Sequence, residues 1–426
     1  MDYFQYRDGE LCCENVKVAS IAEKYSTPVF IYSLRTLVRH LKVTEDAFGR
    51  IPHLICYAAK ANPNLALLRA AALCGAGCDV VSEGELRLAL KAGIRRDRIV
   101  FSGVGKTDEE IELAVRSRIL FICAESFQEL ETIAEAGRRH KTVVPVAIRV
   151  NPDIDPGTHP YIATGLRKTK FGLDEKSARD AYRLCQKERW LRPVGISMHI
   201  GSQVESVAPY VEASRKIVRL FKYLWKQSIC LQYIDIGGGW AAYFKKRDKA
   251  PHPDDYVSAV KDLFRGLPVT VIAEPGRSLV GNAGILIMQV IGTKHTRARD
   301  FCIVDAGMND FIRPALYGAR HRIEPVCASR GARSKYDVVG PVCENTDFLG
   351  KSILLPKIKK GDLLCLFTAG AYGSAMGSNY NSRRRAAEVA VAGSKTVLIR
   401  KREEFRDMTS GQDMASVNDS LIRSLQ

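Results

Sequence analysis

Between residues 54 and 276 the chain repeats one unit, a short apolar β-rich run followed by a stretch with apolar residues at helical spacing. Eight such runs occur: LICYAA (54–59), CDVVS (78–82), RIVFS (98–102), ILFICA (119–124), VVPVAIRV (143–150), VGISMHI (194–200), YIDIGG (233–238) and VTVIAEPG (269–276). Between them lie helical stretches such as GELRLALKAG (84–93) and ESFQELETIAEAG (125–137), with leucine and alanine on one face. Eight β-α units in roughly 220–250 residues fit a closed parallel barrel. A doubly wound open sheet has the same periodicity and stays open at this point. In a barrel, chemistry gathers at the C-terminal ends of the strands. The residues there are Lys60, Ser82, Gly103, Asn151, His199, Gly237, Gly238, Gly239 and Glu274, a polar and glycine-rich set beside apolar strand bodies.

After residue 280 the rhythm changes. GILIMQVIGTKH (284–295), FCIVDAG (301–307), YDVVGPVC (336–343), DLLCLFTAG (362–370) and RAAEVAVAG (385–393) are β-rich and broken by Gly or Pro, with no regular helices between them. KYSTPVFIYS (24–33) is a strand ahead of the barrel. Because a barrel is self-contained, that strand is expected to pair with the C-terminal sheet. The expected architecture is α/β: a (β/α)8 barrel over 35–280 and a mostly antiparallel β domain from 1–34 and 281–426. The polar stretch KKRDKAPHPDD (245–255) is expected as a surface loop.

Composition narrows the class. The 426 residues are 46% hydrophobic and 26% charged, which excludes disorder over most of the chain. Lys+Arg exceeds Asp+Glu by 64 to 47, a net +17, but no basic block is longer than a few residues. The densest are Arg383-Arg384-Arg385 and Arg400-Lys401-Arg402, so a nucleic-acid partner is not expected. No stretch is a good membrane span, and 363–382 is rich in Gly, Ser, Ala and Asn. The 12 cysteines show no paired zinc spacing, Cys74 and Cys78 having no second pair, and they suit a reduced, cytoplasmic setting.

FSGVGKT (101–107) is not a phosphate loop, because Val100 stands where a Walker motif needs glycine. YAAKAN (57–62) puts Lys60 at a strand end, where burial would lower its pKa and free a neutral amine for a Schiff base; a lysine snorkelling to the rim is the alternative. The Gly237–Gly239 turn offers bare backbone N–H groups to a phosphate, although such a turn needs no ligand. In HIGSQ (199–203), His199 could stack on an aromatic cofactor. In EPGR (274–277), Glu274 could hold a heterocycle nitrogen protonated and Arg277 could take a carboxylate or phosphate. In GPVCENTDF (340–348), Cys343 could give a proton, or be a small buried hydrophobe. Together these are the parts that pyridoxal phosphate needs.

The ordered motifs YAAKANPNLALL, GAGCDVVS, SGVGKT, YIATG, KFG, HIGSQ, YIDIGGGW, EPGRSLVG, DAGMNDFIRPALYGA, DVVGPVCENTDFL, AGAYG and SNYNSR span nearly the whole chain. In them the sequence resembles the fold-type III pyridoxal-phosphate decarboxylases, most closely the diaminopimelate decarboxylases. The resemblance implies an alanine-racemase-like barrel, a β domain, and a head-to-tail homodimer with active sites at the interface. It implies pyridoxal 5'-phosphate on Lys60 as a Schiff base, His199 against the ring, Ser202, Gly237, Gly238 and Gly239 as the phosphate cup with help from Tyr372, and Gly276 and Arg277 as further cofactor-binding residues. Glu274 is implied as partner of the pyridine nitrogen. Arg277, Arg313, Tyr317 and Tyr372 are implied for substrate carboxylate, Cys343 as proton donor and Glu344 for the distal amine, the last two reaching across from the second subunit. The implied reaction takes meso-2,6-diaminopimelate through a quinonoid intermediate to L-lysine and CO2. An ornithine- or arginine-type decarboxylase of the same fold is the alternative, and RPALY with CEN favours diaminopimelate because its far end carries both an amine and a carboxylate. Glu83, Arg320 and Arg384 depart from the family pattern, and Glu83 alone stands where it could touch the substrate pocket.

Overall fold

The structure, a computed structural model, describes residues 3–157, 164–166, 169–244, 250–329, 331–414, 416–417, 422–423 and 425. Tyr161 to Ala163 of the YIATG motif, and residues 245–249 of the polar stretch, lie outside the described residues. Strands His53–Ala58, Gly77–Val80, Ile99–Phe101, Phe121–Ala124, Val144–Arg149, Leu191–Ser197, Tyr233–Asp235 and Thr270–Ala273 pair in parallel and close into a barrel, the last returning to the first. Five of the eight fall within the apolar runs of the sequence, and the other three begin before theirs, at His53, Gly77 and Leu191. They read as continuous runs rather than alternating ones because one face fills the barrel and the other meets helices. Leu54, Cys56, Val100, Phe121, Cys123 and Ile272 pack together as one interior cluster. Burial of each large side chain contributes about 1.5–3 kcal/mol.

Helices Leu65–Leu73, Glu83–Lys91, Asp108–Ser117, Phe127–Arg139, Glu175–Lys187, Ala208–Lys226 and Pro253–Phe264 separate the strands, and Leu34–Phe48, which precedes the first strand, packs against the last of them. Most begin on a polar cap. The side chains of Asn64, Ser82, Ser126 and Asp174 accept a backbone N–H of the first turn, and Thr107 forms a capping box with Glu110. The last helix starts at Pro253, so the end of the polar stretch 245–255 is a helix start rather than loop.

Lys106 of the glycine-rich FSGVGKT segment has a structural task. Its Nζ donates to the carbonyls of Gly103 and Cys123 and to Glu129 Oε1, each at 2.7 Å, and so ties two strand ends together.

The second sheet takes strands from both ends of the chain. Val29–Ser33 pairs antiparallel with Gly284–His295 and parallel with Ala387–Ala392. Asp300–Val304, Ile323–Pro325, Arg333–Val339, Phe348–Pro356, Leu363–Leu366 and Lys395–Arg400 complete it, and the pairing of Asp300–Val304 with Arg333–Val339 is also parallel. Helices do intervene here, contrary to expectation: Arg313–Tyr317 forms five residues of helix because Pro314 at its start fixes φ without wasting a donor. Three short strands (Phe4–Arg7, Glu10–Cys13, Val16–Lys17) make a separate small sheet. Among the described residues, no helix is long and apolar enough to cross a membrane.

Candidate active site

The strand-end residues of the sequence gather at one mouth of the barrel, each one to four residues past its strand. Strand His53–Ala58 runs into one 3-10 turn, Ala59–Ala61, which lifts Lys60 out of the wall. Its Nζ lies 2.5 Å from Oδ2 of Asp79, an acid with no exposed surface on the neighbouring strand. This corrects the expectation of a lowered pKa. Burial does push the amine down, but Asp79 and then Glu274 outweigh it, and Lys60 sits above the usual lysine value. Asp79 Oδ1 is buried without a hydrogen-bond partner.

Two more acids lie beside this pair. Asp235 accepts from Ser197 Oγ at 2.9 Å and from the Gly237 N–H at 2.8 Å. It also shares a side-chain hydrogen bond with Glu274, whose Oε1 accepts from Ser102 Oγ at 3.3 Å. Burial, then the charges of Asp235 and Asp79, hold Glu274 well above the usual carboxylate range. Burial also raises Asp235 to about 6, despite the hydrogen bonds that oppose it. Asp79 and Asp235 escaped the motif reading; the signal was an acid inside an otherwise apolar strand run.

The glycine turn is built for close approach. Gly237 and Gly239 have φ of +68° and +88°. A Cβ on Gly238 would run into the Glu274 carbonyl, and one on Gly239 into the Gly201 carbonyl. Two of the N–H groups expected to be bare are taken: Gly237 gives its own to Asp235, and Gly238 to His199 Nδ1 at 3.1 Å. The glycines are therefore needed first for close packing of the turn against the Glu274 and Gly201 carbonyls. Because His199 Nδ1 accepts, its proton is on Nε2, and burial, Arg149 and Lys60 hold the ring neutral. Gly276 begins the short helix Arg277–Val280, and a Cβ there would press on Ala58 and Ala61.

Arg277 and Arg313 are only 6% and 5% exposed, yet neither has its donors filled. Arg277 Nη2 donates to Ser202 Oγ at 3.0 Å, while its Nε and Nη1 and the Nε of Arg313 have no partner. The Arg277 guanidinium lies 4.6 Å over the Tyr372 ring. Tyr372 holds that place with a left-handed φ of +55°, its N–H on the Ala61 carbonyl at 2.8 Å. Burial and the facing Arg277 lower Arg313 to about 9. Tyr317, half-buried, closes the same short helix. Two buried, underfilled cations, one close enough to depress the other, make a site for an anion.

Cys343 and Glu344 do not join this group. Both are exposed; the Cys343 N–H donates to Asn381 Oδ1 at 2.7 Å, and Glu344 accepts from the Tyr380 hydroxyl at 2.8 Å. Among the described residues, no hydrogen bond or ion pair ties either to the barrel mouth of its own chain. Glu83 turns along its own helix to Arg87 at 2.6 Å, and Arg320 and Arg384 are exposed.

A sequence profile for "Pyridoxal-dependent decarboxylase, pyridoxal binding domain" matches residues 34–281. The diaminopimelate decarboxylase of Aquifex aeolicus is 46% identical over 403 residues, covering 95% of this chain and 96% of its own. The crystal structure of the Helicobacter pylori diaminopimelate decarboxylase complexed with L-lysine superposes with a TM-score of 0.89 at 42% identity, covering 92% of this chain and 98% of that one. That of the M. jannaschii enzyme in complex with L-lysine gives 0.93 at 34% identity, covering 97% and 98%.

Proposed function

The chain belongs to the pyridoxal-dependent decarboxylases, and to the diaminopimelate decarboxylases among them, and from this premise we propose that the residues above convert meso-2,6-diaminopimelate to L-lysine and CO2. The observation that carries the reading is the pair of buried, underfilled arginines beside the Lys60–Asp79–Glu274 cluster. A substrate with two amino-acid heads needs one set of groups at the reacting end and another at the far end. Arg313 with Tyr317 supplies the far carboxylate's partner, and Arg277 with Tyr372 stands nearer the reacting end.

The residues fit pyridoxal phosphate. The spare Arg277 donors and the Ser202 hydroxyl, with the Gly237–Gly239 and Gly276 turns and Tyr372 beside them, suit a phosphate. Lys60 would hold the aldehyde carbon, His199 would lie against the ring and Glu274 would face the ring nitrogen. When bound, the cofactor supplies the sink for the electron pair left as the carbon–carboxylate bond breaks.

The chain's own groups do the rest. Lys60 must shed a proton before its amine can attack, and Asp79 is the acceptor at hand. Burial and its acidic neighbours favour the protonated form of Glu274, so it would hold a proton at a ring nitrogen placed against it. His199 stays neutral, so it adds a flat face without a competing charge. Once CO2 has left, one proton must replace it on the substrate carbon; Cys343 is the donor and Glu344 the partner of the far ammonium. Their exposed loop, unconnected to the mouth of its own chain, supports a homodimer in which each loop completes its partner's site. We take 35–280 as the cofactor-binding unit, and the twelve free thiols support a cytoplasmic setting.

The test pairs two inactive variants. Lys60→Ala and Cys343→Ala should each abolish turnover of meso-diaminopimelate. Mixed in equal amounts and allowed to exchange subunits, they should regain about a quarter of wild-type activity, since half the dimers then hold one intact site. No recovery, with exchange verified, sinks the shared site. Borohydride should fix a pyridoxyl mass on the Lys60 peptide, and its appearance elsewhere sinks the cofactor assignment.

A further inference from the structure

Arg313 is held by an unusual partner. Its Nη1 lies 2.9 Å from Nε2 of His321, and the opposite ring nitrogen, Nδ1, lies 3.0 Å from the Phe367 carbonyl. A carbonyl only accepts, so Nδ1 carries the proton and Nε2 offers a lone pair to the guanidinium. His321 is 4% exposed, with Phe244 and Phe311 edge-on, each at 4.8 Å between ring centres, and Arg313 lies over Phe244 at 5.2 Å. The imidazole therefore has one available orientation. Among the described residues, no carboxylate stands within ion-pair distance of Arg313, and its Nε is left without a partner.

The choice of a neutral anchor has a consequence. An aspartate at this place would orient the guanidinium equally well but cancel its charge, and an incoming carboxylate would have to compete with it. A neutral imidazole fixes direction and leaves the positive charge free. We propose that His321 is a positioning residue that aims Arg313 at the substrate's far carboxylate and so sets preference for substrates that carry one. The proposal rests on the reading of Arg313 given above. Burial and the neighbouring Arg313 both hold His321 well below the usual histidine range, in keeping with an acceptor role.

The experiment uses the cofactor-loaded enzyme and two ligands. L-Lysine keeps the carboxylate that the reaction does not remove, and cadaverine has none. His321→Met removes the acceptor while keeping bulk; His321→Gln returns an oxygen near the place of Nε2. Losing a hydrogen bond to a charged group should weaken L-lysine and raise KM for meso-diaminopimelate by about 10- to 100-fold. Cadaverine binding and kcat should stay within about threefold, and His321→Gln should recover most of the loss. If His321→Met weakens both ligands equally, or leaves L-lysine unchanged while Arg313→Ala discriminates, the positioning role is wrong and the reading of Arg313 survives. If Arg313→Ala itself fails to distinguish the two ligands, that reading falls and this one with it. Should the methionine variant not fold, nitrogen resonances of histidine-labelled wild type decide, with His321→Gln giving the assignment. A neutral ring protonated on Nδ1 from pH 6 to 9 supports the role, and a cationic ring or the other tautomer overturns it.

Discussion

Asp79→Asn should move the reactivity of Lys60 to lower pH. At 2.5 Å and an effective dielectric constant of about 20, the Asp79 charge favours the ammonium by about 6–7 kcal/mol. The Lys60 side chain is 34% exposed, and solvent screening cuts that to about half or less. About 3 kcal/mol remains, equivalent to about two pKa units. Because the amine's pKa is raised by its partner, removing the partner lowers it, and burial, no longer opposed by Asp79, pulls the same way. The assay is the rate at which cofactor-free protein, given pyridoxal phosphate, gains its visible absorbance between pH 6 and 10. Only neutral amine attacks, so below both pKa values the variant should be about 100-fold faster at equal pH, with its profile displaced toward acid. Superimposed profiles, or a shift toward alkali, would refute the argument that Asp79 sets the charge of Lys60. Asparagine is near the size of aspartate, so a packing change would not mimic an acid-going shift.

Three further outcomes follow from the same geometry. Asp235 has its folded pKa raised to about 6, so the folded state holds a proton that the unfolded state has already lost, and stability falls as pH rises from about 4 to 6. The urea-unfolding free energy of cofactor-free Asp235→Asn, minus that of wild type, should therefore grow by about 1–3 kcal/mol across that window; a flat difference rejects the assignment. Gly239→Ala places a Cβ against the Gly201 carbonyl at φ +88° and should cost about 1–3 kcal/mol in stability along with much of the bound cofactor, read as pyridoxal per chain. Lys106→Met strands a nearly buried Glu129 and should lower stability by about 3–5 kcal/mol in a denaturant titration, with kcat and KM of the folded fraction unchanged.

The barrel was legible because parallel strands buried on both faces leave uninterrupted apolar runs, and because their polar successors stand out against them. Lys60, His199, the three glycines and Glu274 were visible in this way. The charge of Lys60 was not: its partner Asp79 lies on the next strand, and only the closed sheet brings the two within hydrogen-bond reach. His321 was equally hidden. A single histidine in YGARH carries no pattern, and its meaning comes from Phe367, brought alongside by the second sheet. The glycine turn was recognised, but its N–H groups were assigned to a ligand because sequence does not show Asp235 and His199 folding back to claim two of them. The short strands at the N-terminus, Glu10–Cys13 among them, are too brief to show a period.

The placing of Val29–Ser33 bears on how the chain is made. Its two sheet partners begin at Gly284 and Ala387, so one neighbour leaves the ribosome only after the whole barrel and the other later still. Every barrel strand can find its partners earlier. Meanwhile Val29, Phe30, Ile31 and Tyr32, all buried in the finished fold, wait with both hydrogen-bonding edges open. That segment is the aggregation hazard of the nascent chain, and a product truncated before Ala387 would keep one such edge exposed for good.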